Sequence, residues 1–127
     1  MQCRGIRGAT IVTANTKESI LGATEELLVE MTQANKIEIK NIAAIFFTTT
    51  SDLNAEFPAA ATRKLGWPSN LPLLCGHEMN VPSALPYCLR IMMLVNTEKG
   101  VEEIVHVYLG EAKRLKNETS LSMGGNT

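Results

Sequence analysis

The residues of this chain best suited to chemistry are cations set among apolar neighbours. Arg90 lies in YCLRIMMLV, residues 87–95, between Leu89 and Ile91 and two positions from Cys88 and Met92. If this run is a strand, both of its faces around Arg90 are apolar. An unpaired guanidinium buried there costs on the order of several kcal/mol. Arg7 stands between Ile6 and Gly8, Arg63 falls in PAAATRKLG, and Glu78 follows Cys75 in the polar stretch GHEMN. Cationic donors without an obvious nucleophile point to a site that binds a small polyanion and stabilises charge developing within it. Each residue also has a plainer reading. Arg7 and Arg63 can be surface or structural ion pairs, Glu78 a solvated turn residue, and Cys75 a small buried hydrophobe. Tyr108 can be a half-buried strand residue with its hydroxyl in water. For Arg90 the plain reading is a buried structural salt bridge, with Glu78 as the candidate partner.

Other chemistries lack their signatures. The chain has no G-x-S-x-G, no phosphate-cradling P-loop and no G-x-G-x-x-G. His77 and Glu78 are adjacent, so in extended backbone they point apart and make a poor acid–base pair or metal site. His106 has no spaced Cys, His or carboxylate partner nearby. A net charge of −1 argues against a nucleic-acid binder, which would carry a basic stripe. No apolar stretch approaches the ~18 residues of a membrane span, and MQCRGIRGAT lacks the apolar core of a signal peptide. The three cysteines, Cys3, Cys75 and Cys88, are odd in number and show no C-x-x-C spacing. Neither a disulfide framework nor a zinc knuckle is expected, and a reduced cytoplasmic setting fits best.

The elements that would carry these side chains follow from periodicity. At 127 residues, 45% hydrophobic and 20% charged, the chain is expected to be one soluble domain with a real core. IRGATIVTA, 6–14, is β-branched and reads as a first strand, with Gly5 and Gly8 allowing close backbone approach. Asn15 as N-cap with Glu18 three residues on suggests a capping box. Ile20, Leu21, Thr24, Leu27, Leu28 and Met31 then recur at helical spacing, to about Ala34. NIAAIFFTTT, 41–50, reads as an interior strand. Pro58 suits the first turn of a short helix that Gly66 can stop. Further strands are expected at 71–75, 87–95 and 102–110, the last two as a possible hairpin across NTEKG. The polar stretch 116–127 has little to bury and is expected to be mobile, leaving a single domain at 1–115. This order of elements gives α+β with a mixed sheet.

RGIRGAT at 4–10, SDLNAEFPA at 51–59, the C-x-x-E of CGHEM, CLRIMMLV, and HVYL at 106–109 together resemble the trimeric, sheet-containing chorismate mutases. The likeness runs from about residue 3 to 115, with its segments in order. It implies a homotrimeric pseudo-barrel with sheets inside, helices outside and active sites between chains. The implied reaction is the rearrangement of chorismate to prephenate, without metal, cofactor or covalent intermediate. By this resemblance Arg90 meets the ether oxygen and a carboxylate, while Glu78 and Cys75 hold the ring hydroxyl. Arg7 and Tyr108 match carboxylate-binding positions, Phe57 an aromatic wall, and Arg63 a cation near the pocket mouth. Ala59, Leu73, Leu74 and Leu115 match further substrate-binding positions. Two departures stand out: Ala60 replaces a lysine common near the entrance, and Leu74 stands where a threonine is familiar. The residues alone leave two other functions open. One is a non-catalytic trimeric binder of a small carboxylate, and the other an enamine or imine hydrolase on a similar scaffold.

Overall fold

The computed structural model of the chain describes residues 1–115, so the expected tail at 116–127 lies outside the described residues. Five strands form one mixed sheet. β1 (Gln2–Ile11) and β2 (Ile42–Thr49) flank β4 (Cys88–Thr97), both antiparallel to it. β3 (Leu73–His77) runs parallel to β2 at one edge, and β5 (Val107–Tyr108) parallel to β1 at the other, giving the order β3-β2-β4-β1-β5.

Helix α1 (Lys17–Asn35) covers one face of this sheet. The alternate residues Ile45, Phe47, Leu89, Ile91, Met93 and Val95 meet Ile20, Leu27, Leu28 and Met31 in one buried cluster. Each such side chain contributes roughly 1.5–3 kcal/mol by leaving water. Gly8 lets the helix approach this closely, because a Cβ there would lie 2.4 Å from the Met31 sulfur. A 3-10 turn at Pro58–Ala60 lies between α1 and β3 and leads into α2 (Ala61–Lys64), which Gly66 ends at φ +75°. The expected α+β architecture with a mixed sheet is what the chain adopts, although the turn at Gly110–Ala112 packs on the face opposite α1.

Three local expectations are corrected. Thr16, not Asn15, caps α1, its hydroxyl accepting from the Ser19 backbone N–H at 3.1 Å. Both residue types cap well, and a tertiary contact decides between them. Asn15 Oδ1 instead accepts from the backbone N–H groups of Asn54 (2.9 Å) and Ala55 (3.0 Å). The strand expected at 102–110 shrinks to Val107–Tyr108, after a 3-10 turn at Val101–Glu103. Its first half is held by a side chain: the buried Asn35 carboxamide donates to Val105 O at 2.9 Å and accepts from Val105 N at 2.8 Å. A backbone satisfied in this way does not enter a ladder. No hairpin joins β4 and β5 either, since β1 lies between them and pairs with both.

Candidate active site

The face of the sheet away from α1 carries the first group of candidate residues. Paired residues on neighbouring strands share a face, and register places Thr48, Arg90, Ala9 and Tyr108 in one row across β2, β4, β1 and β5. The adjacent row holds Phe46, Met92 and Arg7. Glu78 follows the last residue of β3, and its backbone N–H extends the ladder to Thr49 O at 2.8 Å. Its carboxylate thereby reaches the same row: Glu78 Oε2 lies 3.4 Å from Arg90 Nε. It also accepts a hydrogen bond from the Thr48 hydroxyl at 2.5 Å. Arg7 is anchored through its backbone N–H, which donates to His106 Nδ1 at 2.9 Å. Tyr108 is set beside it by the β1–β5 pairing, continued by Leu109 N to Ala9 O at 2.9 Å.

Arg7, Glu78, Arg90 and Tyr108 thus line one depression of about 250 Å³, floored by Ala9 and Thr48. That is smaller than the roughly 300–1,000 Å³ of typical small-molecule pockets. It is also open. The expectation of a dry Arg90 does not hold within one chain, because its side chain is 46% exposed and that of Glu78 30%. β4 is an interior strand, but only the face carrying Leu89, Ile91 and Met93 is covered by α1. At that exposure the Arg90–Glu78 pair contributes only about 0–1 kcal/mol to stability.

One end of this face is covered. A 3-10 turn at Gly110–Ala112 brings Ala112 and Leu115 over Ala9 and Cys88, and Tyr108 packs against them. Leu115 also borders a second depression, shared with Glu78 and Arg90. Burial pushes the Cys88 thiol above its ordinary pKa, and the adjacent Arg90 guanidinium opposes that rise.

The remaining candidates lie elsewhere. Phe57, Ala59, Arg63, Leu73, Leu74 and Cys75 line a depression at the β3 edge, around the Pro58–Ala60 turn. Phe57 is 71% exposed and Leu74 63%. Cys75 pairs with Phe47, so its side chain takes the helix-covered side of the sheet, away from Arg90. Cys75 and Glu78, three residues apart in sequence, therefore do not meet within one chain. Burial raises the Cys75 thiol above its ordinary value of 9.0, although the Ala59 backbone, hydrogen-bonded to the sulfur, pulls it down. It is a neutral thiol at physiological pH, not a thiolate nucleophile. Among the described residues, no three His, Cys, Asp or Glu side chains gather as a metal ligand set, and no helix is long and apolar enough to cross a membrane.

Sequence reading missed Thr48 and Ala9. Thr48 falls in an apolar run, and only strand register sets it opposite Arg90.

Comparison with known proteins shows the family. Residues 3–119 match the family model for chorismate mutase type I. The chain is 46% identical over 114 residues to chorismate mutase AroH of Thermus thermophilus, covering 89% of this chain and 93% of that protein. It is 40% identical over 123 residues to chorismate mutase AroH of Bacillus subtilis (strain 168), covering 96% of each. A solved structure of chorismate mutase from Clostridium thermocellum superposes with a TM-score of 0.85 at 47% identity, over 87% of this chain and 98% of that one. On these matches the chain belongs to the type I chorismate mutase family and is an isomerase of that class.

Proposed function

We propose that the chain rearranges chorismate to prephenate, on the way to phenylalanine and tyrosine, at sites completed between the subunits of a cytoplasmic homotrimer. The observation that carries this reading is the Arg90–Glu78 contact, set in an open depression with Arg7 and Tyr108 and too small to enclose a substrate alone. A second group, with Phe57, Ala59, Arg63, Leu73, Leu74 and Cys75, would supply the opposite wall from a neighbouring copy. Exposed Phe46 and Met92 on the same face as Arg90 support burial of that face against another subunit.

The reaction breaks a carbon–oxygen bond and forms a carbon–carbon bond within one molecule. Protein groups can hold the reactive conformer and stabilise charge on the ether oxygen. Arg90 suits both tasks. Its Nε faces Glu78, and the terminal nitrogens of its fork would meet the ether oxygen and a carboxylate. Glu78 balances the cation and accepts from the ring hydroxyl, with the neutral Cys75 thiol reaching that hydroxyl from the neighbouring copy. Arg7 and Tyr108 bind a carboxylate, while Arg63 draws the dianion to the mouth beside Phe57. Leu115 closes the covered end. Burial by a partner would strengthen each of these interactions by lowering the local dielectric.

The test is to follow loss of chorismate ultraviolet absorbance with the native protein and with Arg90→Met. Removing one preorganised donor of this kind typically lowers kcat by ~10²–10³, so that loss is expected with the circular-dichroism spectrum unchanged. A near-native kcat in a folded Arg90→Met protein would rule out the role.

A further inference from the structure

We propose that Thr48 is a positioning residue for the rearrangement, fixing the Glu78 carboxylate against Arg90; this rests on the reading of Glu78 and Arg90 given above. Thr48 lies directly across from Arg90 in the β2–β4 ladder and shares its face of the sheet. Its hydroxyl donates to Glu78 Oε2, the same oxygen that Arg90 Nε approaches. One carboxylate oxygen is therefore held from two sides, by a neutral donor on β2 and a cation on β4. Among the described residues, both side-chain contacts of Glu78 fall on Oε2, so Oε1 can take a substrate hydroxyl without either being broken.

The arrangement answers a mechanical problem. Glu78 sits beyond the end of β3, with only the start of its backbone tied to the sheet through Thr49. The segment that follows, 79–84, is exposed. A carboxylate on such a segment can swing, whereas Thr48 stands inside a ladder paired on both sides. The β-branched side chain of Thr48 restricts χ1, so its hydroxyl direction is set by the strand. Arg90 gains from this too: with Glu78 fixed, its Nε has a fixed counter-charge and its plane is oriented before substrate arrives.

The experiment is a double-mutant cycle read by steady-state kinetics on the full chain. Thr48→Val keeps the shape and strand preference of the residue and removes only the donor. A hydrogen bond to a charged group is worth on the order of one to two tenfold steps, so kcat should fall at least about tenfold with KM little changed. Thr48→Ser should restore kcat, because it returns the hydroxyl. In a Glu78→Ala background, Thr48→Val should add no further loss, since its acceptor is gone. Thermal unfolding of each variant separates this from a purely structural role, which would lower the melting temperature and leave kcat of the folded fraction unchanged. An unimpaired Thr48→Val beside a crippled Glu78→Ala would overturn the proposal alone. So would an equal Thr48→Val loss in both backgrounds. A near-native Glu78→Ala would overturn the reading of the site together with the proposal.

Discussion

The two faces of the sheet are built from the same strands and answer to different demands. On the face under α1, Ile45, Phe47, Leu89, Ile91 and Met93 are buried, and the helix lies close enough that a Cβ at position 8 would meet the Met31 side chain. On the other face, Thr48, Arg90, Ala9 and Tyr108 make a row of mixed character, with Phe46 and Met92 left exposed beside it. The first face is complete in one chain. The second has a charge pair of little value to stability and a depression too shallow to enclose a substrate. Substitutions on the helix side should therefore cost stability, and those on the open side activity.

The largest expected effect is the kcat loss of Arg90→Met. Its sharper form measures stability as well, because removing a half-exposed ion pair should change unfolding free energy by no more than about 1 kcal/mol. A large stability loss in that variant would erase the contrast between the faces. Next comes a mixing experiment on the separation of the two residue groups. Ala59→Trp should fill the depression at the β3 edge while leaving the Arg90 face intact. Co-expressing this chain with the Arg90→Met chain should yield mixed assemblies more active than either parent, because some sites then draw both halves from unaltered surfaces. Mixtures no more active than the parents would mean that each chain builds its own site.

On the helix side, Asn35→Ala removes a buried amide that holds both backbone groups of Val105. Leaving such groups without partners costs about 1–3 kcal/mol, which denaturant unfolding would register. A neutral result would show that 104–106 finds other partners. The smallest effect is expected at Cys75. Its raised pKa keeps the thiol protonated through neutral pH, so it acts only through weak, neutral hydrogen bonds. Cys75→Ser should lose less than about tenfold in kcat, and its rate–pH profile should overlay that of the native protein up to mildly alkaline pH. A profile that tracked thiol ionisation would make Cys75 a thiolate reagent instead.

Much of this was legible in the residues. The 3.6-residue recurrence from Ile20 to Met31 announced α1, β-branched runs announced β1 and β2, and an apolar run announced β4. The ends were less legible. Asn15 is the better cap in isolation, and Thr16 took the role because Asn15 is committed to the distant loop at Asn54 and Ala55. The strand expected at 102–110 failed for a similar reason, since Asn35, some seventy residues earlier, claims the Val105 backbone. Such hydrogen bonds join residues far apart in the chain, and no local pattern encodes them.

For the site the division is different. The residue types singled out Arg90 as a charge in an apolar strand, and the resemblance they carry named Glu78, Arg7 and Tyr108 beside it as candidates. What sequence by itself could not supply was register. A one-residue slip moves every side chain of a strand to the other face. Only the observed pairing sets Thr48 and Ala9 beside Arg90, or turns Cys75 away from Glu78 three positions later. Within one chain Arg90 is a half-exposed charge rather than a buried one. The sequence determined which groups are available for the chemistry, since that depends on composition and local pattern. The tertiary structure decided which of them meet, since that depends on strand pairings between distant parts of the chain.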